Sequence, residues 1–153
     1  MHRSEKIWLI LSFGMIMLFM FATGYQSFSL GMGPPSGQET IDPEKVDQTP
    51  PFNQPGIRKI GENEFEVVQT LQVFSFNPTK IEVPTGATVH FILTSKDVVH
   101  GFEVAGTNLN AMVMPGYIQK ITQTFNQPGE YLVLCNEYCG AGHQFMSTTI
   151  TVK

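Results

Sequence analysis

Residues 135–146 read Cys135-Asn136-Glu137-Tyr138-Cys139-Gly140-Ala141-Gly142-His143-Gln144-Phe145-Met146, and the rest of the chain is organised around them. Two thiols, an imidazole and a thioether recur there at Cys135, Cys139, His143 and Met146. Soft and borderline donors of this kind select copper over magnesium or calcium. A one-copper electron-transfer site needs two His, one Cys and a weak axial Met, so Cys139, His143, Met146 and one distant His would already make one. Cys135 is then an extra thiolate. It either adds a second sulfur to the same ion or, with Cys139, bridges two ions that each need only one imidazole and one weak ligand. Bridging is the better reading. A disulfide or a four-coordinate zinc site are the competing uses of the two Cys, but neither employs Met146.

The second imidazole must come from elsewhere. His2 precedes an apolar run. His90 lies in Thr88-Val89-His90-Phe91-Ile92-Leu93, where alternation sets it on the face opposite Val89, Phe91 and Leu93, as a solvated strand residue. His100, in Lys96-Asp97-Val98-Val99-His100-Gly101-Phe102, follows an apolar strand and precedes glycine, a strand-end position from which ligands are commonly presented. His100 is the expected partner.

Outward from the loop, strand patterns recur at 64–68, 71–76, 80–83, 88–94, 101–104, 117–125, 130–135 and 148–152, punctuated by Pro78, Pro84 and Gly86. Short strands at this spacing predict an all-β sandwich beginning near Ile60. Before it, residues 31–56 hold six of the ten prolines without any period and read as a semi-extended linker. Residues 7–21 (IWLILSFGMIMLFMF) are apolar apart from Ser12 and Gly14, and extended to Tyr25 they approach the roughly 20 residues of a spanning helix. Trp8 and Tyr25 would lie about 26 Å apart on a helix rising ~1.5 Å per residue, which suits interfacial aromatics. Met15, Met17 and Met20 read as apolar filler. Arg3 and Lys6 precede the run, whereas the acids Glu39, Asp42 and Glu44 come before the next cation, Lys45. That asymmetry keeps the N-terminus cytoplasmic and sends the remainder across the cell membrane. A cleaved signal peptide competes, but the run is long for one and lacks an A-x-A-like site. The expected organisation is therefore an anchor at 1–30, a linker at 31–59 and a β domain at 60–153.

The pattern C-x-E-x-C-x3-H-x2-M, with Asp97-Val98-x-His100-Gly101-Phe102 upstream, resembles subunit II of the heme-copper cytochrome c oxidases, the subunit that carries the dinuclear copper centre CuA. The likeness extends through Ile81-Glu82-Val83-Pro84, Gly106-Thr107-Asn108, Pro115-Gly116 and Pro128-Gly129-Glu130-Tyr131. It implies a cupredoxin-type Greek-key β-sandwich with its ligands on loops at one end. It also implies that Cys135 and Cys139 bridge both coppers, that His100 and Met146 complete one, and that His143 and the backbone carbonyl of Glu137 complete the other. In many members a carboxylate at the Glu137 position also reaches a magnesium ion; members with a single anchor helix, the ba-type branch, have none. Phe74 and Phe76 resemble aromatic positions over the copper centre near where the donor docks, and read equally well as ordinary buried strand residues; Asp97 either orients the His100 segment by hydrogen bonding or stands as a solvated loop carboxylate.

The resemblance further implies one-electron transfer from cytochrome c to the low-spin heme of subunit I, where oxygen is reduced and protons are pumped. Complete ligands argue against a quinol donor. From Ile60 onward eight acids face four lysines, a balance expected to attract a basic cytochrome c modestly and not nucleic acid. The rival functions are a free-standing membrane-tethered electron carrier and a copper-delivery protein.

Overall fold

The computed structural model describes residues 2–29 and 39–153, which fall in two units. In the first, the apolar run forms one helix, α1 (Arg3–Ser29). No proline interrupts it, so it runs past both ends of the apolar core. Its 27 residues rise about 40 Å at ~1.5 Å each, more than a bilayer's hydrocarbon core of roughly 30 Å. The Thr23 hydroxyl donates back to the Phe19 carbonyl at 2.9 Å, so this polar group is satisfied within the helix.

Among the described residues, the second unit has ten strands: β1 (Gly56–Lys59), β2 (Glu64–Gln72), β3 (Ser75–Asn77), β4 (Lys80–Val83), β5 (Ala87–Ser95), β6 (His100–Val104), β7 (Asn110–Val113), β8 (Gln119–Phe125), β9 (Gly129–Leu134) and β10 (Ser147–Val152). One sheet has the order β1-β2-β5-β8 with β3 paired to β2; the other has the order β4-β10-β9-β6-β7. The core between them follows from period-two alternation. Val89, Phe91 and Leu93 of β5 meet Phe102, Val104, Val133, Ile150 and Val152 from the opposite sheet, and all are buried. Phe102 stacks against Phe91 and Phe76 with ring centroids 5.3 and 6.0 Å away.

Three expectations need correction. Residues 71–76 are not one strand: the chain leaves β2 at Gln72, turns through Val73 and Phe74, and returns as β3 with Ser75 opposite Gln72. The amide of Val73 bonds the Asp97 carboxylate at 2.7 Å instead of joining a ladder. The edge strands β1 and β7 lie where no strand was expected, because four residues of mixed polarity give too short a pattern to read.

The third correction concerns the linker. Residues 31–38 lie outside the described residues, but 39–59 are part of the folded unit. Asp42 caps a short 3-10 helix (Pro43–Gln48) by accepting the Glu44 amide. Ile41, Val46 and Phe52 are buried against Val68 and Ile118 on the outer face of the first sheet. Backbone bonds from Ile41 to Gly116 and from Ile118 to Glu39 hold this strap in register. The prolines suppress regular structure without preventing burial, since three large apolar side chains suffice to seat the segment. This cover also explains why β2 shows Val67 and Val68 both buried where a half-exposed strand would alternate.

Candidate metal centre

Segments from two strand connections meet at one end of the sandwich. Ser147 of β10 pairs with Leu134 of β9, so residues 135–146 join adjacent antiparallel strands. The Cys135 amide donates to the Met146 carbonyl at 3.2 Å and closes the base of the loop. β6 pairs with β9 and with β7, and it opens at His100. Gly101 is what permits the approach: a Cβ there would stand 2.5 Å from the Asn136 amide nitrogen and 2.8 Å from that of Glu137. Asn136 in turn donates from Nδ2 to Asn110 Oδ1 at 3.0 Å, tying the loop to β7. The glycine directly after His100 was the only sequence signal for this close packing.

The donors converge on the two sulfurs. Cys135 Sγ and Cys139 Sγ are 3.8 Å apart and both cysteines are free. A disulfide would hold them at about 2.05 Å, whereas one ion forming thiolate bonds of ~2.3 Å reaches both. His100 Nδ1 lies 3.8 Å from Cys135 Sγ, and the Glu137 carbonyl oxygen lies 3.2 Å from the same sulfur. At the other sulfur, His143 Nδ1 stands 3.6 Å and Met146 Sδ 3.7 Å from Cys139 Sγ. Each thiol therefore has one imidazole and one weak donor beside it. His100, Cys135, Cys139 and Met146 are buried; His143 and Glu137 are half-buried. The thioether among these donors fits copper better than zinc.

The surroundings act in opposite directions on Cys139 and Asp97. Burial pushes the Cys139 thiol up to about 11, and its hydrogen bond with Cys135 acts in the same direction. Burial also opposes ionisation of Asp97, but bonds from the Val73 amide, the His100 ring and the Val98 amide outweigh it and hold the carboxyl below its ordinary value. His100 Nε2 lies 2.8 Å from Asp97 Oδ1. That bond assigns the ring proton to Nε2 and leaves Nδ1 facing the thiols.

All six expected ligand positions come together, the backbone carbonyl included, and Asp97 joins them. The carboxylate of Glu137 belongs to no cluster of ligating side chains among the described residues. Phe74 lies over the loop, but Phe76 does not: it is buried in the core against Phe102, since β3 turns it inward. His90 is remote and bonds Thr122 Oγ1 at 2.9 Å. Met112 and Met114 are exposed on β7 and just beyond its end. Two loop residues were missed. Tyr138 and Phe145 are 79% and 78% exposed, and the Tyr138 ring lies 5.8 Å from that of His143. Large aromatics between four ligands were the available signal.

A family model described as "Cytochrome C oxidase subunit II, periplasmic domain" matches residues 62–153. A protein of Thermus thermophilus named cytochrome c oxidase subunit 2 is 41% identical over 153 residues, covering 97% of this chain and 91% of that protein. A probable cytochrome c oxidase subunit 2 of Streptomyces avermitilis is 33% identical over 110 residues, 72% of this chain and 33% of that longer protein. A chain of a heme-copper terminal oxidase dimer determined by cryo-EM is similar with a TM-score of 0.80 and 32% identity, over 99% of this chain and 100% of that one.

Proposed function

Because the chain belongs to the cytochrome c oxidase subunit II family, we propose that the end of its cupredoxin sandwich holds the dinuclear copper centre of a terminal oxidase. The observation that carries this reading is the pair of free, buried thiols 3.8 Å apart, each with one imidazole and one weak donor beside it. Cys135 and Cys139 would bridge the ions, His100 and Met146 completing one and His143 and the Glu137 carbonyl the other. Copper held there would supply one-electron redox chemistry between a cytochrome c donor and the low-spin heme of subunit I, the subunit in which oxygen would be reduced to water and protons pumped.

The chain's own part is to hold those donors still. The loop base is closed by the Cys135 to Met146 backbone bond, Gly101 lets β6 press against the loop, and Asp97 fixes the tautomer and tilt of His100. A cage set by strand ends changes little when one electron arrives or leaves, which keeps the reorganisation of the site small. With every donor supplied by the protein, no position is left for a substrate water, unlike a hydrolytic site.

The helix α1 would anchor the subunit in the plasma membrane, with the N-terminus cytoplasmic and the β domain outside, as in the single-anchor, ba-type branch. For the donor, the exposed ring of Phe145, the exposed Tyr138 and the half-exposed Val98 and Phe74 give the site end an apolar character. Docking of cytochrome c there would rest on apolar contact more than on charge and depend weakly on salt.

The deciding experiment loads the full-length chain with copper and measures the metal content together with the electron paramagnetic resonance spectrum. Two coppers per chain, with hyperfine coupling shared by both nuclei, is the expected result. One ion per chain, or coupling to a single nucleus, overturns the reading. Co-purification with a heme-containing polytopic subunit separates an oxidase from a free-standing carrier.

A further inference from the structure

The carboxylate of Asp97 divides its oxygens between two parts of the fold. Oδ1 accepts the His100 Nε2–H at 2.8 Å and the Val98 amide at 2.6 Å, while Oδ2 accepts the Val73 amide at 2.7 Å. Val73 lies in the turn between β2 and β3, in the sheet opposite the one that contains His100. The next residue of that turn, Phe74, lays its ring on the glycines of the ligand loop. A Cβ on Gly142 would come 2.6 Å from Phe74 Cδ2, and one on Gly140 would stand 3.2 Å from Cε1 and Cζ. Gly140 also has φ +134°, a conformation that a side chain would strain. The aromatic ring thus rests on bare backbone between Cys139 and His143, where no other residue type fits at Gly142.

We propose that Asp97 is a positioning residue that sets the two imidazole-bearing segments in one frame, His100 through its ring and the 139–143 segment through the Val73 amide and the Phe74 ring. The two contacts are made by the two oxygens of one carboxylate, so a displacement of either segment is felt by the other. A hydrogen bond to a ligating His commonly orients that ligand alone; here the second oxygen extends the same restraint across the sandwich. This inference rests on the copper reading for only one of its two measurements.

The first measurement is hydrogen exchange on the metal-free full-length chain. Asp97→Ala should speed amide exchange at least tenfold in both 73–76 and 139–143, while Lys80–Val83, away from these contacts, exchanges as in the wild type. Faster exchange confined to 97–100 would overturn the proposal. Should Asp97→Ala fail to fold, Phe74→Leu serves instead: it keeps both Asp97 bonds and should loosen 139–143, and unchanged exchange at 139–143 would overturn the proposal equally. The second measurement is spectroscopic. Asp97→Asn and Phe74→Leu, neither of which removes a ligand, should both shift the visible absorption of the copper-loaded chain at an unchanged copper content. Lys96→Met, whose side chain is paired with Asp47, should not. Wild-type spectra in both site variants would refute the shared frame. A wild-type chain that takes up no copper would defeat the function proposed above and leave hydrogen exchange to decide this inference.

Discussion

The ligand loop at 135–146 and the strap at 39–54 are both mostly irregular and rich in glycine or proline, yet they are seated on the sandwich by opposite means. The strap follows the ordinary rule: Ile41, Val46 and Phe52 point in, while Asp42, Glu44 and Lys45 face solvent. The loop inverts it. Cys135, Cys139 and Met146 are turned inward and the aromatics Tyr138 and Phe145 outward. Burying two thiols while exposing two large rings gains little hydrophobic free energy, so the loop is shaped by what it binds and the strap by what it covers. Damage to the loop should remove function and spare the fold; damage to the strap should do the reverse.

The largest expected effect on the loop side comes from Cys135→Ser, which should abolish the two-copper signal while the circular dichroism of the β domain persists. A mutant that kept two coppers would contradict the bridging role. On the strap side, Phe52→Ala should cost about 3–5 kcal/mol of stability, as large-to-small changes at fully buried aromatics do. Denaturant titration reads that loss, and the copper spectrum of the folded fraction should be unaltered. Met146→Leu is milder: copper is retained, because Met is a weak ligand of similar volume to Leu, and the reduction potential shifts measurably in voltammetry.

The pH dependence follows from Cys139. Its ordinary value of 9.0 rises to about 11 in the fold, chiefly through burial. A raised value means that the folded metal-free chain keeps a proton which the unfolded chain releases. The contribution to stability is therefore fully present below about 9 and is lost as pH rises toward about 11. Melting temperatures across that window should fall more steeply for the metal-free wild type than for Cys139→Ser; parallel curves would refute it. The smallest effect belongs to the strap's surface. Lys120→Ala removes the exposed pair with Glu39 and should change stability by only about 0–1 kcal/mol in the same titration.

Much of the site was legible because ligation demands particular atoms at close spacing, and Cys135, Cys139, His143 and Met146 declare themselves within twelve residues. His100 could be chosen over His90 because alternation placed the latter on a polar strand face, where it bonds Thr122. Phe74 and Phe76 could not be told apart by the same means. Two residues apart in a presumed continuous strand, they would have shared a face, and only the turn after Gln72 sends one over the ligand loop and the other into the core.

The sequence by itself determined the candidate donors, the long apolar helix and the alternation of the long strands, since each depends on the chemistry of a side chain or on a local period. The tertiary structure alone decided that Asp97 reaches both Val73 and His100, that Gly101 abuts the Asn136 amide, and that a proline-rich stretch is a folded strap. Those features depend on contacts between residues far apart in the chain, from Val73 with Asp97, 24 positions apart, to Glu39 with Ile118, 79 apart, and such distances are set by how two sheets and their covering segment pack, which no local pattern encodes.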